Sequence, residues 1–288
     1  MRRRTALATI GGALALARCA PAQSLRIGSK NFAESILLAE LYAQRLEGIG
    51  IPIERRFDLG STQIALAALS RGDIDCYPEY TGTALVDVLH HAPMRDGAAI
   101  LALLRERFEA RYHATWLTPA PMNDSQALAT TQALARRYHL TTLSECSRLA
   151  PRLRLATIQE FLARPDGLPG LQRYYGGFHF RSVRTYDIAL KYEALLSGKA
   201  DVATAFTTDG AIAAHGLVLL RDDRGFWPTY HAAPVVRIAT LARYPKMRTA
   251  LDALSARLST AAVASMNERI ESAQVSPASV ARAFLQQQ

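Results

Sequence analysis

Gly72-Asp73-Ile74-Asp75-Cys76-Tyr77-Pro78-Glu79-Tyr80-Thr81 and Gly198-Lys199-Ala200-Asp201-Val202-Ala203-Thr204-Ala205-Phe206-Thr207 are two passages written to one plan. Each follows an Ala/Leu-rich helical stretch, turns at a glycine, runs through a buried strand and leaves it on an aromatic-threonine pair. Two βα units can share such a plan by chance. If the echo is structural, the chain holds two lobes, each presenting an aromatic residue at a strand exit to one shared cleft. That is the geometry of a hinged ligand trap.

Outward from the first passage, Leu25-Arg26-Ile27-Gly28 reads as a strand and residues 31–46 as a helix with Asn31 at its N-cap. Residues 51–57 read as a second strand, 62–69 as a helix and 74–77 as a third strand. Alternation of this kind predicts an α/β sheet, whose ligands sit beyond the carboxyl ends of the strands. Lys30 and residues 77–83 fall at those ends. Pro119-Ala120-Pro121 and Phe226-Trp227-Pro228 are stiff segments suited to carry the chain between lobes. They divide the chain into residues 23–121, 122–226 and 227–288.

With 288 residues, 49% of them hydrophobic and 20% charged, the chain can bury two proper cores. Its beginning differs from the rest. Arg2, Arg3 and Arg4 precede an apolar run over residues 6–17, and Ala20-Pro21-Ala22 ends it, which is the pattern of a signal peptide over residues 1–22, cut after Ala22. A periplasmic location follows. Sec export is the default, and the Arg3-Arg4 pair leaves twin-arginine export open. Lipid attachment at Cys19 is disfavoured because Arg18, not a small residue, precedes it. Cleavage removes four arginines and lowers the formal charge from +9 to +5. Arg105-Glu106-Arg107 reads as a solvated helix face, so this surplus is no nucleic-acid footprint. A bond between Cys76 and Cys146 would tie the lobes together, so two free thiols are expected.

The chain carries no nucleophile elbow, phosphate-binding loop, dinucleotide glycine pattern or His-Glu-x-x-His helix, and its seven histidines are scattered. A non-enzyme with no cofactor and no metal is the expectation. The positive signal is aromatic: Tyr80, Phe206 and Tyr230, with Tyr77 and His231 nearby, cluster at strand ends. Ring faces attract a cation that has no proton to give a carboxylate, so such a set suits a quaternary ammonium. Each ring by itself also fits a core.

The blocks Gly28-Ser29-Lys30-Asn31-Phe32, Asp58-Leu59-Gly60-Ser61-Thr62, Tyr77-Pro78-Glu79-Tyr80-Thr81-Gly82-Thr83, Ala205-Phe206-Thr207-Thr208-Asp209-Gly210 and Tyr230-His231-Ala232-Ala233-Pro234-Val235-Val236 together resemble the glycine betaine, choline and carnitine binding proteins of osmoprotectant ABC importers. The resemblance runs from about Leu25 to the C-terminus. It implies a type II periplasmic-binding fold: two α/β lobes, two crossings, a ligand cleft between, and C-terminal helices returning to the first lobe. It also implies a monomer that delivers its solute to an inner-membrane permease and binds no nucleic acid. Tyr80, Phe206 and Tyr230 match cage positions, and Asp124 matches a residue whose backbone carbonyl faces the ammonium. Lys30, Thr83 and Arg164 match the groups that take the ligand carboxylate. One departure stands out: the family usually carries tyrosine where this chain has Gln126. A larger betaine, an amino-acid derivative or an ergothioneine-like solute is therefore the alternative ligand.

Overall fold

The computed structural model describes residues 24–188 and 190–287, so the signal-peptide assignment and Cys19 lie outside the described residues. Among the described residues, ten strands form two five-stranded sheets. They are β1 (Leu25–Gly28), β2 (Ile53–Arg56), β3 (Cys76–Tyr80), β4 (Ala114–Trp116), β5 (Gln126–Thr130), β6 (Arg154–Thr157), β7 (Ser182–Thr185), β8 (Val202–Phe206), β9 (Val218–Leu219) and β10 (Ala232–Arg237). The first sheet has the order β2-β1-β3-β10-β4 and the second β7-β6-β8-β5-β9. In the first, β1 runs parallel to β2 and β3, while β10 is antiparallel to β3 and β4. In the second, β6 runs parallel to β7 and β8, while β5 is antiparallel to β8 and β9. The two sheets thus share one topology. Each crossing of the chain delivers the antiparallel strand, β5 or β10, that its destination sheet needs beside the echo strand, β8 or β3.

The echo seen in the sequence holds at the level of single hydrogen bonds. Asp75, just ahead of β3, accepts from the backbone N–H of Arg26 at 2.9 Å and from its guanidinium at 3.0 Å on both oxygens. Asp201, just ahead of β8, receives Arg154 in the same three-bond manner at 2.8 Å. These forks lock β1 to β3 in one sheet and β6 to β8 in the other.

Several boundaries differ from the sequence reading. The third strand begins at Cys76 rather than 74, because the Asp75 carboxylate is taken by Arg26 and the turn at Gly72 occupies residues 72–75. It runs through Pro78, which lies directly opposite Pro234 on β10. Alternate pairs of an antiparallel ladder exchange no hydrogen bonds, so two residues without N–H groups can face each other there. Asn31 does not cap the helix Ala33–Glu47. Phe32 stands at that N-cap, while the Asn31 backbone N–H donates to Gly60. Arg105 is not simply solvated, since its Nε donates to the Trp116 carbonyl at 2.9 Å.

The helices Lys246–Ser255, Thr260–Glu271 and Pro277–Gln286 return to pack on Ala33–Glu47, whose central residues Leu37 to Ala43 are all buried. Across the junction, the helix Gly210–Ala214 from the β8 exit lies against Thr260–Glu271. Gly210 makes this approach possible, because a Cβ there would meet the Glu268 backbone at 2.4 Å. Cys76 and Cys146 are free and buried, one beside each sheet. No helix among the described residues is long and apolar enough to cross a membrane.

Candidate ligand-binding site

The two aromatic-threonine pairs sit where the crossings arrive, and each threonine staples its crossing in the same way. Thr81 N–H donates to His231 O, its hydroxyl donates to Thr229 O at 3.2 Å, and it accepts from His231 N–H at 3.1 Å. Thr207 N–H donates to Ser125 O, its hydroxyl donates to Asn123 O at 2.7 Å, and it accepts from Ser125 N–H at 2.9 Å. Tyr80 and Phe206, one residue earlier, therefore occupy equivalent positions in the two sheets. Their rings are held by a fully hydrogen-bonded backbone at the junction of the lobes.

Around Tyr80 the surroundings are charged and dry. Lys30 is buried, with its ammonium 4.6 Å from the Tyr80 ring centroid, 5.4 Å from that of Phe32, and 2.6 Å from Glu79 Oε1. The Tyr80 hydroxyl donates to Glu34 Oε1 at 2.7 Å, and Asn267 Nδ2 donates to the other oxygen of Glu34 at 2.6 Å. Asn267 also donates to Thr208 O, while the Thr208 hydroxyl donates to Asp124 Oδ1 at 2.6 Å. Burial raises the pKa of Glu34, and burial followed by the nearby Glu34 charge lifts that of Asp124 well above the carboxylate range. Two acids this close and this dry favour a protonated partner.

A second network carries Arg164. Its guanidinium forks onto Asp166 at 2.8 and 2.7 Å, and Asp166 also accepts from the Tyr230 hydroxyl at 2.5 Å. Asp166 is wholly buried, and its backbone carbonyl takes the Trp227 indole N–H. From the other lobe, Asp87 approaches Arg164 to 3.6 Å. Burial first, and the Asp166 charge next, keep the Tyr230 hydroxyl protonated and donating. Gly82 lies under the Tyr230 ring, where a Cβ would come within 2.5 Å of its carbons.

Gln126, at the start of β5, is buried and pairs in register with Phe206. Only 7% exposed, it faces inward and not the solvent. Thr83 is half-buried, and its hydroxyl has no hydrogen bond among the described residues. Tyr77 lies in the core beside Phe108 and Trp116, and its hydroxyl donates to Glu79 Oε2 at 3.3 Å, the carboxylate that pairs with Lys30. His231 uses Nδ1 on the Ala120 and Met122 carbonyls, 3.1 and 2.8 Å away, and so ties the two crossings together. Sequence reasoning missed the carboxylates Glu34, Glu79 and Asp166. Glu79 and Asp166 were within reach of it, since each lies one or two residues from a nominated group, whereas Glu34 becomes visible only when helix Thr260–Glu271 is docked.

Glu271, at the end of that helix, accepts from Ala211 N–H at 3.2 Å. Burial, with the Asp209 charge added, raises its pKa to about 7. Between the unfolded value of about 4.3 and this native value the folded state holds a proton that the unfolded chain has lost. Stability is therefore expected to fall as pH rises through that window and to level off above it. Glu271→Gln should flatten the slope and leave the variant more stable at pH 8 by about 1–2 kcal/mol after allowance for partial solvation. Urea denaturation of both proteins at pH 5 and pH 8 checks this, and equal slopes would refute it.

Residues 23–287 match the family described as the substrate binding domain of ABC-type glycine betaine transport systems. A glycine-betaine-binding protein of Pseudomonas aeruginosa is 33% identical over 279 residues, covering 93% of this chain and 89% of that protein. An ergothioneine transport permease/ergothioneine binding protein of Helicobacter pylori is 32% identical over 263 residues, which are 91% of this chain but only 47% of that longer protein. A solved structure described as a glycine betaine/carnitine/choline ABC transporter superposes with a TM-score of 0.78 at 30% identity, covering 91% of this chain and 97% of the other.

Proposed function

The chain belongs to the substrate-binding domains of ABC-type glycine betaine transport systems, and on that premise we propose how its cleft selects and holds a solute. It is the substrate-binding component of an ABC transporter for glycine betaine, carnitine or a related solute, built on the two-lobed periplasmic-binding-protein fold. In this reading residues 23–121 and 227–288 form one lobe and residues 122–226 the other. The mature protein acts as a periplasmic monomer that performs no chemistry on its ligand and hands it to an inner-membrane permease.

The rings of Tyr80, Phe206 and Tyr230, with the Asp124 backbone carbonyl, take the methylated ammonium. Lys30, Thr83 and Arg164 take the carboxylate, which a dry cleft requires to be paired. The observation that carries this reading is the matched pair of threonine staples, which brings Tyr80 and Phe206 to equivalent exits on opposite lobes. A solute touching both rings is bound fully only when the lobes are together, and that difference in affinity shifts the population toward the closed form. Calorimetric titration of residues 23–288 with glycine betaine, choline, carnitine, proline betaine and ergothioneine tests it. Absence of binding by every methylated ammonium compound would overturn the reading.

Gln126 supports a second reading, in which the solute is bulkier or offers a hydrogen-bond partner to the buried amide. Gln126→Tyr should then improve glycine betaine affinity by about 0.5–1 kcal/mol through a restored ring face. The native solute should lose affinity as the amide's hydrogen bonds vanish. The same calorimetric panel reads both changes, and parallel shifts would sink Gln126 as a selector.

A further inference from the structure

The correspondence between Tyr80 and Phe206 extends to a second lysine. As Lys30 lies on the Tyr80 ring, the Lys191 ammonium lies over the Phe206 ring, 5.1 Å from its centroid, and 4.5 Å from that of Tyr192. Lys191 opens the helix Lys191–Leu196 and is 1% exposed. Its Nζ donates to Asp209 Oδ2 at 3.0 Å and to the Ile188 carbonyl at 3.4 Å. That one carboxylate oxygen also accepts from the Tyr192 hydroxyl at 2.5 Å and the Phe206 N–H at 3.0 Å. Asp209 is thus shared among three donors, and Glu271 lies near enough to feel the Lys191 charge as well.

We propose that Lys191 is a specificity-determining residue, a resident cation on the Phe206 ring that weakens the pocket for ligands of net charge +1 relative to zwitterions. The inference rests on the reading of Phe206 as a cage wall. A ring's π-density attracts a cation on either face, but two cations on one ring repel each other and compete for the same polarisable electrons. A ligand such as choline brings its whole charge to the wall that Lys191 already uses. Glycine betaine brings a carboxylate as well, whose attraction to the lysine offsets part of that repulsion. In lobe 1 Lys30 binds the ligand carboxylate directly, whereas Lys191 in lobe 2 lies behind the Phe206 ring, so it meets the ammonium first and attracts the carboxylate only from a distance.

Calorimetric Kd values for choline and glycine betaine should be measured on wild type, Lys191→Met, Lys191→Arg and Phe206→Ala, with thermal unfolding as a check on folding. Lys191→Met should tighten choline about fivefold and glycine betaine by less, so that the ratio of the two constants moves toward choline. Lys191→Arg keeps the charge and should keep the wild-type ratio. Should Lys191→Met fail to fold, the double variant Lys191→Met/Asp209→Asn, which leaves no buried charge unpaired, should move the ratio in the same direction by a smaller factor. A ratio unchanged by loss of the lysine while Phe206→Ala weakens both ligands overturns the proposal and leaves the cage reading standing. Unchanged binding in Phe206→Ala removes Phe206 from the cage and overturns both.

Discussion

Arg164→Met is expected to destabilise the protein by about 3–5 kcal/mol, because it strands a wholly buried Asp166 carboxylate without its partner. The loss comes from the acid left behind more than from the ion pair given up. Arg164→Met/Asp166→Asn should therefore recover most of the stability, since a neutral amide can still accept from the Tyr230 hydroxyl. Ligand binding should not recover in the double variant if Arg164 latches the solute's carboxylate. Chemical denaturation separates the first effect and calorimetry the second. A single variant as stable as wild type would show that Asp166 finds another partner or a proton at no cost.

Tyr80→Ala is the other change of this size. It removes a ring that is 3% exposed, packed on Phe32 and under the Lys30 ammonium, at a cost of about 3–5 kcal/mol in stability. It should also weaken a cationic ligand by about 1–2 kcal/mol through the lost ring face. A cage residue known only from sequence would make Tyr80→Phe a mild control. The structure makes it informative instead, because Phe keeps the ring but deprives Glu34 of a 2.7 Å donor. Tyr80→Phe should then retain affinity at low pH, where Glu34 holds a proton, and lose stability as pH rises and the buried carboxylate goes short of a partner. Stability of the Phe variant that tracks wild type from pH 5 to 8 would refute the role given to Glu34.

The fold was legible where a pattern spans a whole unit. Glycine turn, buried strand and aromatic-threonine exit recur intact because both sheets need the same Arg–Asp fork ahead of the strand and the same threonine staple after it. Local propensity was a poorer guide at boundaries. The sequence reading ends the third strand at residue 77, and the facing Pro234, far along the chain, is what lets it run on through Pro78 to residue 80. The ring of Tyr80 could be nominated from its place at a strand exit, but not the reason its hydroxyl is held. Glu34 reads from the sequence as an ordinary acid in a helix's first turn until Asn267, itself held to Thr208, closes over it. Tyr77 and Tyr80 stand an odd number of residues apart on one strand, so the pleat sends them to opposite faces, the first beside Phe108 and Trp116.

Strand β10 reaches the first sheet only after the whole second sheet has been laid down, and the staple it makes with β3 joins residues 150 apart in sequence. The second sheet draws all its strands from residues 126–219. Closing a long loop carries an entropic penalty that local pairing avoids, so the order of folding is written into the connectivity. Lobe 2 is expected to fold first, as a self-contained unit, while β1, β2 and β3 wait with an unpaired edge for β10 to arrive. Pulse-labelled hydrogen exchange during refolding should find the amides of β5, β6 and β8 protected before those of β1 and β3, so the cleft is completed from its far wall inward.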